Sequence, residues 1–490
     1  MKTRELMNLG IPRGPFIRVA QECVADAARN GSSKRDIRAE IIALLATPAD
    51  YRDHPRFRPL AQALLGEGGF EPPAHPPSPP PRSQPVPWRQ WGDDLDPTSV
   101  EQLHNACLLP IAVRGALMPD AHVGYGLPIG GVLATENTVI PYAVGVDIAC
   151  RMKLTVLDLP TTAIDGQTDR LINALESETR FGIGAKFSSP HDHPVLDDDW
   201  SVSPITRQHK EKARSQLGSS GSGNHFVEFG LLEVLEGDAN ESTTAADSSD
   251  LGLEPGTYLA LLSHSGSRGT GASVASHYSK LAMELHDDLP KALRHLAWLD
   301  LDSEPGQEYW HAMELMGRYA AANHACIHRA IAKHLGANVI ADVENHHNFA
   351  WQELHETPEG PREVIVHRKG ATPAEAGVLG IIPGSMASPG YVVRGLGNED
   401  SLKSASHGAG RIMSRRAAHS MLTWSDAKKL LAERKVRLLS AGLDEVPMVY
   451  KDIDAVMAAQ RDLVQTIARF DPRIVKMAPE HVIYVSCNPK

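Results

Sequence analysis

Along residues 1–70 the apolar positions recur at helical spacing. In RDIRAEIIALLA they are clearest, with Ile37, Ile41, Leu44 and Leu45 on one face. Ser33 stands where an N-cap belongs, and Asp36 follows at the capping-box distance. This stretch is expected to be a small helical unit. Residues 71–87, EPPAHPPSPPPRSQPVP, carry nine prolines, too many for helix or sheet, and predict a semi-rigid linker at a domain boundary. From Trp88 onward short apolar runs alternate with Gly-rich segments. MPDAHVGYGLPIGGVLAT (118–135) holds too much Gly and Pro for helix and predicts loop and strand. Helices are expected at 273–298, at 306–335 with Gly336 as the stop, at 411–434 and at 451–469. Residues 235–256 are acidic and polar, and predict an exposed insertion. Strands and helices mix without regular βαβ alternation or sequence repeats. The expected class is α+β, with 1–70 as an accessory unit, 71–87 as linker and 88–490 as the main domain, mixed sheets flanked by helices.

Composition changes this picture little. A chain of 490 residues with 42% hydrophobic and 22% charged residues is ordinary for a soluble globular protein of two or three domains. No apolar run reaches membrane-spanning length, and the N-terminus lacks a signal-peptide core. The five cysteines (Cys23, Cys107, Cys150, Cys326, Cys487) are odd in number and widely spread, which favours free or metal-bound thiols in a reducing compartment, the cytoplasm. The net charge of −11 would repel nucleic acid as a whole, so RNA would need a local basic patch. His191 and His193 sit in an acidic, proline-containing segment and are assigned no role.

Candidate chemistry centres on VGVDIACRM (144–152), where Asp147 and Cys150 lie three apart in an apolar run. A buried carboxylate is costly without a cation or a full set of donors, and a thiol beside a metal becomes a strong ligand able to bridge two ions. Alone, Asp-x-x-Cys reads equally as a capping Asp and a structural Cys. Four further segments each combine a histidine with small or amide residues: GSGNHFVEFG (221–230), LLSHSGSRGTG (261–271), ENHHNFAW (344–351) and SASHGAGRIMSR (404–415). Each by itself reads as a tight turn with a satisfied histidine. Together they supply O, S and N donors for two metal ions and one histidine to spare, a set suited to phosphoryl chemistry. His324 and His328 are four apart on an expected helix, the spacing of a metal pair, but they sit among Ala and Ile and read as a structural pair.

The segments MPDAHVGYGLPIGG, VGVDIACRM, GSGNHFVEFG, HSGSRG, ENHHN, HRKGAT, IPGSM and SASHGAGRIMSR, in this order, resemble the RtcB-type RNA ligases. That GTP- and manganese-dependent family joins RNA ends in tRNA splicing and RNA repair. The resemblance runs from about residue 85 to 490 and implies the family's catalytic fold there. It implies two Mn2+ ions held by Asp147, Cys150, His225, His264 and His347, with Cys150 bridging and His347 rather than His346 as the ligand. Manganese comes from the resemblance alone, since a thiolate by itself favours softer ions. It further implies that His407 is guanylylated by GTP. GMP would then pass to an RNA 3′-phosphate, itself opened from a 2′,3′-cyclic phosphate, and a 5′-hydroxyl would expel it. The implied nucleotide contacts are Asn224, His225, Phe226, Val227, Glu228, His347, Asn348, Pro383, Gly384, Ser385, Met386, His407, Gly408, Ala409, Gly410 and the terminal Lys490. Asp120 is implied near the metals for proton transfer, and Arg268, Arg411 and Arg415 as phosphate holders. Gly390 departs from the family, which often has a serine shortly after PGSM. The implied partners are RNA and an activating protein, with the enzyme a monomer. The competing readings are a metal-dependent cyclic-phosphate hydrolase and a non-catalytic RNA-binding homologue.

Overall fold

The structure, a computed structural model, describes residues 1, 5–6, 9–12, 15–66, 78–236, 251–357 and 360–479. Most of the expected 235–256 insertion, together with Cys487 and Lys490, lies outside them. The chain divides into two compact units, residues 1–78 with 284–288, and residues 79–283 with 289–490.

The smaller unit contains helices Pro15–Arg29, Lys34–Ala46 and Arg58–Leu64. Ile37, Ile41 and Leu44 are buried against Ala20, Val24, Phe57 and Leu60, while Leu45 packs at the edge of that cluster. Ser33 caps the second helix by accepting from Asp36 N at 3.2 Å. Asp36 does not close the capping box as expected: its carboxylate takes the Ser33 hydroxyl at 2.7 Å instead.

Residues 79–87, the second half of the proline-rich stretch, belong to the larger unit. There Arg82 N donates to Leu108 O at 2.8 Å, Val86 N donates to Cys107 O at 2.9 Å, and the Arg82 guanidinium reaches the carbonyls of Leu109, Pro110 and Ala112.

Two large sheets, with two further two-stranded ones, build the larger unit, and the architecture is α+β, as the mixed pattern predicts. Its main strands, in chain order, are β1 (Trp88–Gln90), β2 (Ala112–His122), β3 (Ile129–Thr135), β4 (Arg151–Leu157), β5 (Phe226–Val234) and β6 (Gly256–Ser265). They continue with β7 (Val339–His346), β8 (Asn348–Thr357), β9 (Gly360–Lys369), β10 (Leu379–Ile382), β11 (Gly390–Gly395) and β12 (Val464–Met477). One sheet has the order β1-β2-β3-β9-β8. The other has β10-β11-β12-β5-β6-β4-β7, with Arg437–Ser440 beside β12. The terminal strands β7 and β10 of the second sheet come back together, and Asn345 Oδ1 accepts from Ile381 N at 3.0 Å. The sheet is therefore nearly closed. One face packs Met152, Leu154, Leu232, Leu262, Val343, Val392 and Phe470 together. Its other face packs Val227, Phe229, Leu259 and Leu261 against Leu171, Leu175, Ile327 and Ile331 of the flanking helices Thr168–Glu178 and Glu304–Leu335.

Several predicted boundaries shift. The helix expected at 306–335 is Glu304–Leu335, and Gly336 ends it in the left-handed region (φ 57°). The one expected at 273–298 is Arg268–Leu285. It stops ahead of Pro290, leaving a single 3-10 turn at Arg294–Leu296. The one expected at 411–434 is two helices, Arg415–Met421 and Trp424–Glu433, the second capped by Thr423. Only Ile453–Ala458 of the stretch 451–469 is helical. From Val464 the chain is β12, because pairing with β5 on one side and β11 on the other outweighs the local helical pattern.

Candidate active site

Sheet order explains why residues far apart in sequence meet. β5, β6, β4 and β7 are consecutive neighbours, and their residues at one end carry the donors. Asp147 and Cys150 precede β4, His225 precedes β5, His264 lies on β6 opposite both Phe226 and Met152, and His347 follows β7. Backbone bonds lock the junction: His347 N donates to Cys150 O at 3.0 Å and Ala149 N to Asn348 O at 2.7 Å. Ala149, buried with φ 55°, holds the turn that presents Cys150.

The donors form two triads that share one sulfur, Cys150–His264–His347 and Asp147–Cys150–His225. Cys150 Sγ lies 3.1 Å from His264 Nε2 and 3.4 Å from His225 Nε2. His264 Nε2 is 3.2 Å from His347 Nε2, and His225 Nε2 is 2.9 Å from Asp147 Oδ2. His264 Nδ1 points at Asn224 O, 3.0 Å away, so it carries the proton and leaves Nε2 as a lone pair facing the cluster. His346, the neighbour of His347, packs instead against Phe349 and Trp351.

Burial works against charge at Asp147, yet the adjacent His225 holds its carboxyl below the ordinary range. Burial, reinforced by Asp147, pushes the Cys150 thiol well up. Burial likewise lowers His264 to about 3 and takes His347 well down, so both imidazoles are neutral, the form a metal binds. One carboxylate, one thiol and three imidazoles, all within reach, fit divalent cations. A metal there would favour the thiolate that burial alone opposes. Glycines make the room: a Cβ on Gly221 would stand 1.8 Å from His225 Nδ1, and one on Gly266 2.4 Å from Asp147 Oδ1.

His407 follows strand Ser404–Ser406, its ring centroid 5.0 Å from that of His347. Asp120 on β2 is fully buried. Its Oδ2 accepts from His407 Nδ1 at 2.6 Å, His407 N at 3.1 Å and Gly408 N at 3.3 Å. Asp120 grips the ring of His407 and, in the neutral imidazole, selects the tautomer with its proton on Nδ1.

A cavity of about 980 Å3 joins the cluster and His407 to the expected nucleotide contacts. Asn224, Phe226, Glu228, Pro383, Gly384, Ser385, Met386, Gly408, Ala409 and Gly410 line it. The Val227 side chain does not, because strand alternation turns it into the opposite core. Asn348 lines the cavity but spends its side chain on backbone, Nδ2 on Asp147 O at 3.2 Å and Oδ1 on Gly370 N at 2.8 Å. Burial raises the Glu228 carboxyl well above the ordinary range. Gly390 lines the wall, and Ser388 two residues earlier brings a hydroxyl to it.

The expected phosphate holders are already engaged. Arg268, buried, donates to Ser219 Oγ and Gly182 O, both at 3.1 Å, and is absent from the cavity wall. Arg411 pairs with Glu445 at 3.2 Å, and Arg415 with Asp444 and Glu445. Lys369, in the HRKGAT motif, was given no role by the sequence, yet it lines the cavity with its pKa lowered to about 7 by burial. His122 does too, its ring 6.5 Å from that of His407. His324 and His328 belong to neither triad; both bond Ser263 Oγ at 2.7 Å, and His328 also bonds Thr155 Oγ1.

The family model described as tRNA-splicing ligase RtcB matches residues 102–199 and 197–477. The chain belongs to the RtcB family. An Escherichia coli protein named RNA-splicing ligase RtcB1 is 32% identical over 418 residues, covering 78% of this chain and 95% of the relative. A Thermococcus kodakarensis tRNA-splicing ligase RtcB is 29% identical over 461 residues, covering 79% of this chain and 94% of its own length. The RNA-splicing ligase RtcB of Mycobacterium bovis is 32% identical over 435 residues, covering 76% and 98%. The segment matched by the RtcB family includes both triads, Asp120 and His407, whereas residues 1–101 lie outside it.

Proposed function

We propose that this RtcB family member is an RNA ligase that joins a 3′-phosphate or 2′,3′-cyclic phosphate end to a 5′-hydroxyl end, using GTP and two Mn2+ ions. The observation that carries the proposal is His407, held by Asp120 with Nε2 free and packed against His347 of the paired triads. Hydrolysis of a cyclic phosphate needs no such positioned nucleophile.

Asp147, Cys150, His225, His264 and His347 would hold the ions, which supply positive charge to phosphate oxygens. His407 Nε2 attacks the α-phosphorus of GTP. The N–P bond forms, pyrophosphate departs, and Asp120 balances the charge developing on the ring. Phe226 covers the guanine, and Glu228, whose carboxyl burial raises well above the ordinary range, accepts from the exocyclic amine of the base. The RNA 3′-phosphate then displaces His407 and takes GMP, and the 5′-hydroxyl of the second strand expels it. RNA is the partner, and the helical unit at residues 15–66 serves an accessory role in RNA selection. Among the described residues no helix is long and apolar enough to cross a membrane.

The test incubates the protein with labelled GTP and manganese, then with RNA pairs of defined ends. Covalent label on the protein, absent from His407→Ala with its metal intact, and joining only of 3′-phosphate or cyclic ends to 5′-hydroxyl ends are expected. Joining of a 3′-hydroxyl to a 5′-phosphate, or opening of the cyclic phosphate with no joined product, would reject the proposal.

A further inference from the structure

At one rim of the cavity the chain exposes a ring that its backbone holds still. Tyr125, in the segment HVGYG, is 68% exposed and lines the cavity, as do the half-exposed Val123, Val146 and Ile412. The three residues 124–126 are each anchored. Gln102 brackets Gly124, donating to its carbonyl at 2.6 Å and accepting from its N–H at 3.0 Å. Lys369 Nζ donates to Tyr125 O at 2.6 Å. Gly126, at φ 72°, lies so close to His295 that a Cβ would stand 2.7 Å from His295 O. Behind the ring lie Tyr142 at 6.5 Å and His295 at 5.9 Å, centroid to centroid.

Scattered apolar side chains on a surface need no explanation. A fixed backbone that leaves an aromatic face in solvent in the lining of the cavity that holds His407, backed by Tyr142 and His295, does. The guanine wall is elsewhere: Phe226 and Met386 pack with Trp424 and Leu430, not with this group. Unpaired bases at RNA ends are held by stacking on aromatic faces, which tolerates any sequence because every base has a π-face. A ligase that joins many ends needs that tolerance.

We propose that Tyr125, backed by Tyr142 and His295, is a stacking shelf for an unpaired nucleobase next to the RNA joint. This rests on the RNA-ligase reading above. The shelf is a binding element, with its ring packed on the base and no part in bond making.

The test uses full-length protein and short single-stranded RNAs, one carrying 2-aminopurine at the 3′-phosphate end and one at the 5′-hydroxyl end. Wild-type protein is expected to quench one of the two and to bind that RNA about tenfold or more tightly than Tyr125→Ala does. Tyr125→Phe and Tyr125→Trp should retain both quenching and affinity, and thermal midpoints report folding. An abasic nucleotide at the same position should weaken wild-type binding by a similar factor, without relying on any variant. Equal affinity of wild type for abasic and intact ends, or loss in Tyr125→Phe as large as in Tyr125→Ala, would overturn the shelf. Wild-type protein that takes up no GMP would instead strike the ligase reading. Uptake of GMP with wild-type RNA binding in Tyr125→Ala would strike the shelf alone.

Discussion

Asp120→Asn separates two roles that the sequence could not. If Asp120 served the metals, its neutral replacement would loosen them. In the structure it serves His407, and the size of the effect follows from its three bonds. Asp120 Oδ2 accepts from two backbone N–H groups and from His407 Nδ1, while Oδ1 has no partner among the described residues. Asparagine has the same shape. The two backbone donors select the rotamer that puts the amide oxygen where Oδ2 was, and the amide nitrogen takes the place of Oδ1. His407 therefore keeps its acceptor and its tautomer, and only charge is lost.

A hydrogen bond to a charged group is worth about 1.5–3 kcal/mol net, against about 0.5–1.5 for a neutral one. The difference, about 1–2 kcal/mol, corresponds to a loss of roughly 5- to 30-fold in the rate of guanylylation. The assay is single-turnover transfer of labelled GMP to the protein, with metal content measured on the same sample. Metal content should stay at the wild-type level. A wild-type rate, or loss of metal with guanylylation per bound metal unchanged, would refute the reasoning. Asp120→Ala should fare worse, since each buried donor left without a partner costs about 1–3 kcal/mol, and the fold itself should weaken.

Cys150→Ser should lower metal content more than loss of any single histidine, because Cys150 alone belongs to both triads; two full equivalents by elemental analysis would reject the bridge. Gly221→Ala should displace the His225 ring and cost metal while leaving the helical content unchanged by circular dichroism, since the added methyl would occupy the position of Nδ1. Glu228→Gln should flatten the pH dependence of stability. Burial raises the native Glu228 pKa, while the unfolded carboxyl ionises near about 4.3. Above that pH the native state binds more protons, so wild-type stability falls as pH rises toward the native pKa. Thermal midpoints of the variant should gain on wild type from about pH 5 upward; parallel curves would reject this. A chain starting at Pro79, which keeps the Arg82 bonds to the Leu109, Pro110 and Ala112 carbonyls, should still take up GMP, and failure to do so with metal bound would show that residues 1–78 serve the chemistry.

The helices at the N-terminus and at 304–335 were legible because caps and periodicity are local. The donor residues were legible as types in Gly-rich segments, since close approach such as that of Gly221 to His225 leaves a trace in composition. Their pairing was not. It depends on β5, β6, β4 and β7 being neighbours, an order set by long-range packing that no local pattern encodes. The same cause hid β12, whose alternation is masked by Ala and Gln until partners on both sides impose it. Phe226 and Glu228 were separable from Val227 only once this segment was known to be strand. Asp120 was singled out by its motif, but its bond to His407 was not legible, because sequence spacing carries no angle.

Charge was the other feature read only in outline. A net charge of −11 demands a local basic site for RNA, and the arginines of SASHGAGRIMSR were the natural suppliers. Yet Arg411 and Arg415 are tied to Asp444 and Glu445, with Glu445 buried. An arginine with a carboxylate partner is held in place before substrate arrives, at the cost of attraction for a phosphate. Lys369, in contrast, donates to the Tyr125 carbonyl and sits in the cavity wall, with burial lowering its pKa to about 7. Arg411, Arg415 and Lys369 are therefore held in position more than they are free to attract. Arg416, exposed, also lines the cavity, so under the proposed function it is the arginine placed to meet a phosphate, and stacking on Tyr125 would add an uncharged contact to it.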